Sequence, residues 1–229
     1  MTTRSRHAGI GHAIRERDGA SLERVTPKRP ARDHQLLLAP EPILNYLQEL
    51  LSQLRINLKV TCIPCGSLQE LPTLCRQWLD QGGPFMRIYV IVEWDGQDET
   101  SVRHAWHAFE ESLLIRTRTQ PRLLVCRPSF LLWILLHFED VAAETDNAGW
   151  LQQRVEELLK QVVPKTRSTT LFARTRCRLA QALRRAQQMS WVRQNSNAED
   201  LWPKEPGTHL HELLIYWYRL ARQPLPDES

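Results

Sequence analysis

Long apolar runs are missing from this chain. In its 229 residues the longest uninterrupted one is Phe130-Leu131-Leu132-Trp133-Ile134-Leu135-Leu136, far short of the roughly 20 residues that cross a bilayer, and no membrane partner is expected. The N-terminal stretch MTTRSRHAGIGHAIRERDG lacks the apolar core of a secretory signal. Cysteine is sparse and odd in number, five residues without the spacing of a disulfide framework, which points to a reducing, cytoplasmic setting. No Gly-x-x-x-x-Gly-Lys-[Ser/Thr] loop, Gly-x-Ser-x-Gly elbow or His-Glu-x-x-His pair is present. ATP hydrolysis by this chain, serine hydrolysis and zinc proteolysis therefore have no support.

What is present suffices for a packed core. Hydrophobic residues make up 42% of the chain, charged residues 24%, and eight residues are Trp, which excludes global disorder. The length fits one sizeable domain or two small ones. The net charge of +4 is mild, and its distribution carries more information than its total. Residues 1–33 hold eight Lys or Arg against four acids and end in Pro-punctuated VTPKRPARD, reading as a flexible basic lead-in.

From His34 the pattern becomes regular. Gln35 to Ala39, Leu58 to Ile63, Arg87 to Val92 and Arg122 to Cys126 read as strands. Between and after them Ile43 to Leu54, Leu68 to Leu79, Thr100 to Leu114 and Phe130 to Phe138 read as helices. Alternating strands and helices predict an α/β core over 34–145 with a mostly parallel sheet flanked by helices. The remainder, 146–229, reads as a helical C-terminal part, with helices over 150–163, 168–193 and 207–222.

Four features carry candidate chemistry. Glu93-x-Asp95 follows the clearest strand, where parallel sheets bind ligands beyond strand carboxyl ends. Two carboxylates one residue apart on extended backbone share a side and suit Mg²⁺, which takes one or two carboxylates and keeps several waters; a solvated strand-end turn is the plain alternative. Cys62-x-x-Cys65, followed by Cys75, resembles part of a zinc site but lacks a nearby fourth ligand, and buried thiols at a strand end are ordinary core residues. His137 is either a general base, which needs a positioned proton partner, or a packed histidine. Lastly, Pro164 to Gln194 contains Lys165, Arg167, Arg174, Arg176, Arg178, Arg184, Arg185 and Arg193 and no Asp or Glu. On one continuous helix Arg174, Arg178 and Arg185 fall within roughly 40° of one another. Such a face can track a phosphate backbone, dock on an acidic protein, or simply be solvated. Lys165, Arg167, Arg174, Arg178 and Arg185 are the candidates for it.

The block Phe130 to Glu139, with Trp133, His137-Phe138 and Glu139, resembles the RloB-like family, prokaryotic proteins found beside restriction and phage-defence loci and often next to an ATPase gene. Asn45-Tyr46-Leu47, Glu93-Trp94-Asp95 and Pro206-Gly207-Thr208-His209-Leu210-His211 are similar to its other blocks and follow in the same order. The resemblance implies a Toprim-like core and Mg²⁺-dependent (or Mn²⁺-dependent) phosphodiester cleavage by carboxylates, here Glu93, Asp95 and, through a shifted alignment, Glu41. It also implies partnership with an ATPase or another defence protein. The family's early Glu falls on Leu38 or Ala39, its first Asp of Asp-x-Asp is Glu93, and its Glu after Phe130 is Leu131. The leading expectation is therefore a defence component that binds nucleic acid or a partner protein, with nuclease activity weakened or lost. An active Mg²⁺-dependent nuclease and a purely structural assembly subunit are the alternatives.

Overall fold

In the computed structural model His34–Ala39 forms strand β1, with all six residues buried. A strand apolar on both faces needs cover on both, and β1 lies inside a five-stranded sheet of order β2-β1-β3-β4-β5. The structure describes residues 34–56, 58–82, 85–95, 98–116, 119–141, 143–162, 170–189 and 205–226. The basic lead-in expected over 1–33 lies outside them, as do Lys165 and Arg167.

The order along the chain is β1, α1 (Glu41–Leu54), β2 (Lys59–Pro64), α2 (Leu71–Gly82), β3 (Arg87–Glu93), α3 (Glu99–Arg116), β4 (Pro121–Arg127), α4 (Phe130–Leu135), α5 (Ala148–Gln161), α6 (Leu171–Thr175), α7 (Leu179–Gln188), β5 (Gly207–Thr208) and α8 (Leu210–Ala221). Strands β1 to β4 pair in parallel, with Leu38 opposite Val90 and Glu93 opposite Cys126. This is the mixed α/β arrangement expected, and it is consistent with a Toprim-like sheet. Among the described residues no helix is long and apolar enough to cross a membrane.

Alternation along each strand sorts the side chains into two layers. Leu36, Leu38, Ile88, Val90, Leu123 and Val125 face α2 and α3 with Trp106 and Phe109. Leu37, Ala39, Tyr89, Ile91, Leu124 and Cys126 face α1, α4 and the C-terminal helices. The two parts expected to divide at 145/146 share this second core, since Leu151, Val155, Phe172, Leu183 and Trp217 pack with Leu47 and Trp133.

Two local expectations are corrected. The single helix over 168–193 is broken: α6 ends at Thr175, Arg176–Arg178 form a 3-10 turn, and α7 follows. The Thr175 hydroxyl donates to the Leu171 carbonyl at 2.8 Å, a back-bond of the kind that bends helices. A 3-10 turn advances the phase faster than an α-helix, so Arg174, Arg178 and Arg185 do not line one straight stripe. The last helix begins at Leu210, not 207, because Gly207 and Thr208 pair antiparallel with Arg127 and Cys126. Pro206 lacks an N–H, and the Thr208 hydroxyl accepts from the Leu210 amide at 3.2 Å, satisfying one of the helix's orphan donors.

One buried polar pair crosses the layers. Trp217 in α8 donates its indole N–H to Gln35 of β1 at 3.1 Å, and both residues are buried. Gln35→Leu leaves that donor unpaired and is expected to lower stability by about 1–3 kcal/mol. Urea denaturation reads this directly, and a double change with Trp217→Phe is expected to regain part of the loss.

Candidate functional site

β3 carries Glu93 to the carboxyl end of the sheet. Alternation puts Glu93 on the same face as Tyr89 and Ile91, the face that α4 covers, and Trp94 on the other, where it is buried. The Trp94 amide still bonds the Cys126 carbonyl at 2.8 Å, so the backbone stays extended through that point. Glu93 Oε1 accepts the backbone N–H of Phe130 at 2.7 Å. The Ser129 hydroxyl accepts from Leu131 at 3.3 Å. Together they satisfy the first two amides of α4, a cap of the kind a carboxylate serves well at a helix start. Asp95 stands exposed in the bend beyond Trp94.

A narrow crevice opens at the carboxyl ends of β1, β2 and β3, between Pro40, the 65–68 loop, Glu93-Trp94 and Val102 of α3. Its free volume of about 20 Å³ is of the order that one water requires. Among the described residues Glu93 is the one carboxylate that lines it. Glu41, the first residue of α1, lines a different cavity of about 310 Å³ with Tyr46, Glu49 and Phe172. Leu38 and Ala39, where the resemblance sets an early Glu, are fully buried and apolar. Among the described residues no group of three His, Cys, Asp or Glu is placed to hold a metal ion. The acids named from the sequence are thus not gathered around one point. Mg²⁺ takes one or two protein carboxylates and completes its shell with waters; of the acids named, Glu93 and Asp95 alone stand near one another along the chain, and Glu93 already holds the Phe130 amide.

Among the described residues Cys62, Cys65 and Cys126 are not joined by further ligands into a zinc site. Cys65 donates to the Ser67 carbonyl at 3.1 Å, and burial pushes its thiol up to about 11. Cys126 bonds Thr208, and burial pushes it up to about 12. Cys62 is shifted the same way by burial. Zinc requires thiolates, which these environments disfavour.

His137 is fully enclosed. Its Nδ1 faces the Trp133 carbonyl at 2.9 Å and its Nε2 the Tyr46 hydroxyl at 3.1 Å. A carbonyl only accepts, so Nδ1 carries the proton and Nε2 accepts from Tyr46. Burial lowers its pKa to about 4. Phe130, Trp133 and Phe172 set their rings edge-on to Tyr46. Motif residues 91 positions apart thus meet in one buried cluster, with Tyr46 of Asn45-Tyr46-Leu47 bonded to His137 of the Trp133 block. Glu139 closes the same segment through a two-point ion pair with Arg154 of α5, at 2.8 and 2.6 Å. His209 accepts the Val125 amide at Nδ1 and returns its own N–H to the Val125 carbonyl, both at 3.1 Å. Burial likewise lowers its pKa to about 4.

The arginines divide between packing and surface. Arg185 donates to Asp140 and to the Leu136 carbonyl, each at 2.8 Å. Arg174 donates to the Leu159 carbonyl. Arg178 lies over the Phe138 ring at 4.8 Å, a stacking that leaves the guanidinium edge available to other partners. Arg176, Arg178 and Arg184 are exposed. Sequence reasoning counted Arg176 in the basic run but did not single it out. Gln53 and Tyr218, which line a cavity beside it, carried no sequence signal, because α1 and α8 meet there only through the fold.

A family model described as RloB-like protein matches residues 13–215. No curated protein and no solved structure matches the chain.

Two outcomes follow from this geometry. Glu93→Ala is expected to lower stability by about 1 kcal/mol, the usual worth of a helix cap, whereas Glu93→Gln, which keeps an acceptor oxygen, is expected to lose less; thermal or urea unfolding separates them. Acid is expected to destabilise the fold early. His137 and His209 titrate near 4 in the folded chain and near 6.5 once unfolded, so between those values the unfolded chain binds protons that the folded chain refuses. Stability then falls as pH drops from about 6.5 towards 4, on the order of 2 kcal/mol per histidine by pH 5. Unfolding midpoints at pH 7 and pH 5 measure the slope, and Tyr46→Phe/His137→Leu is expected to flatten it.

Proposed function

The chain belongs to the RloB-like protein family, and from that membership we propose that it is a component of a prokaryotic antiphage defence system that binds nucleic acid through its arginine-rich segment, with metal-dependent nuclease activity weakened or lost. The observation that carries this reading is the separation of charge. The carboxylates that cleavage would need are dispersed: Glu93 holds the Phe130 amide, Asp95 is exposed in a bend, and Glu41 lines another cavity. The stretch from 164 to 194 has no acid and exposes Arg176, Arg178 and Arg184. Guanidinium forks suit phosphate geometry, and a surface of one sign gains affinity by releasing counterions from a phosphate backbone.

An acidic surface on a neighbouring ATPase or other defence protein is the competing occupant of the same face. An active nuclease would instead need Mg²⁺ or Mn²⁺ to recruit Asp95 beside Glu93 once substrate phosphates supply further oxygens.

Binding of single- and double-stranded oligonucleotides by fluorescence anisotropy tests the reading across a salt series. Three phosphate contacts predict a fall in log K against log salt with a slope of about −3 on duplex DNA. Arg178→Glu/Arg184→Glu is expected to weaken binding by about tenfold or more, because these side chains are exposed and their loss leaves the core intact. No Mg²⁺- or Mn²⁺-dependent cleavage is expected. Salt-insensitive or absent binding overturns the reading, and divalent-dependent cleavage abolished by Asp95→Ala favours the nuclease.

A further inference from the structure

We infer that the cavity where α1, α6, the Arg176–Arg178 turn and α8 meet is a binding site for a nucleotide, with its phosphate on Arg176 and Arg174; this rests on the nucleic-acid reading above and sharpens it. The cavity encloses about 390 Å³, within the range of small-molecule sites. Among the described residues two guanidinium groups line it and no carboxylate does. Such a pair beside apolar walls calls for an anion, since cations in low-dielectric surroundings need a countercharge.

Arg174 adds a second, independent sign. Its bond to the Leu159 carbonyl fixes the guanidinium in place, yet its Nε is buried without a hydrogen-bond partner among the described residues. A buried donor left unsatisfied is uncommon, and an absent ion or water is one of its ordinary explanations. Arg176, one turn-half further along, is exposed and takes part in no described ion pair, so its charge remains available at the same cavity. The break in the helix matters here. A continuous α-helix sets residues two apart about 200° from one another; here α6 ends at Thr175, between the two arginines, and both line one cavity.

The remaining wall suits a base better than a bare anion. Phe172 and Leu179 are apolar, and Tyr218 offers a ring with a hydroxyl. Gln53 supplies an amide that both donates and accepts. A flat aromatic base stacks on the part-exposed Tyr218 ring without regard to sequence, with the buried Phe172 behind the wall, while the paired arginines favour a doubly charged terminal phosphate over a carboxylate. The geometry thus takes the end of a strand, or a free mononucleotide, rather than the middle of a duplex.

The test titrates adenosine 5′-monophosphate, adenosine and inorganic phosphate into the full chain by calorimetry. AMP is expected to bind at least tenfold more tightly than either of the others, to weaken at least tenfold in Arg176→Ala, and to be unchanged in Arg76→Ala, an exposed arginine on α2. A second readout uses Cys177, an exposed thiol on the cavity lining: AMP is expected to slow its alkylation, followed by peptide mass spectrometry, in the native chain and not in Arg176→Ala. Equal binding of AMP and adenosine, AMP binding indifferent to Arg176→Ala, or no AMP binding at millimolar concentration overturns the inference. An oligonucleotide titration run alongside separates the two claims. Salt-dependent oligonucleotide binding without AMP binding sinks the cavity and leaves the nucleic-acid reading standing, and failure of both sinks both.

Discussion

The helix α4 sets the terms for the rest of the molecule. Its residues from Phe130 to Leu136 are apolar, and nearly all of them are buried in the layer between the sheet and the C-terminal helices. Burying a helix this short leaves most of its amides and carbonyls without intrahelical partners, and each must find one elsewhere. Glu93 and Ser129 close its N-terminal end. At the other end His137 caps the Trp133 carbonyl and Arg185 the Leu136 carbonyl. Tyr46 then holds His137 from α1, and Asp140 holds Arg185. Residues that look like chemistry in the sequence are engaged in sealing one buried element.

That demand explains where function is and is not supported. A carboxylate committed to an amide, with its neighbours Asp95 and Glu41 placed elsewhere, is a poor start for a metal centre. Charge of the opposite sign is free of such duties at Arg176, where the helix break opens a cavity. Membership of the RloB-like family gives this division its context, and the function proposed above rests on both.

Much of the fold was legible in the sequence. Four strands and the helices between them follow from hydrophobic runs and periodicity, as at Gln35–Ala39 and Arg87–Val92, because local pattern alone decides them. What escaped depended on contacts distant in sequence. Gly207 and Thr208 became a strand through pairing with Cys126 and Arg127, which no local pattern announces. The break at Thr175 is the local exception, with a hydroxyl back-bond to Leu171 four residues earlier. Distance hid the site as well: Glu93 and Asp95 were visible as a pair, but the bond that occupies Glu93 comes from Phe130, 37 positions away. His137 read first as a packed residue and second as a base, and the hydroxyl that completes its packing comes from Tyr46 on α1.

The proposed function has the Glu93 end of the sheet holding structure and not a resident metal. Thermal unfolding in the presence and absence of 1 mM Mn²⁺ addresses it most directly, with Asp95→Ala as the comparison. A site of about 10 µM affinity would contribute about 2.7 kcal/mol at that concentration, raising the midpoint by roughly 5–10 °C for a chain of this size. The same midpoint with and without Mn²⁺ is expected in both proteins. An upward shift of that size in the native chain, abolished by Asp95→Ala, would contradict it.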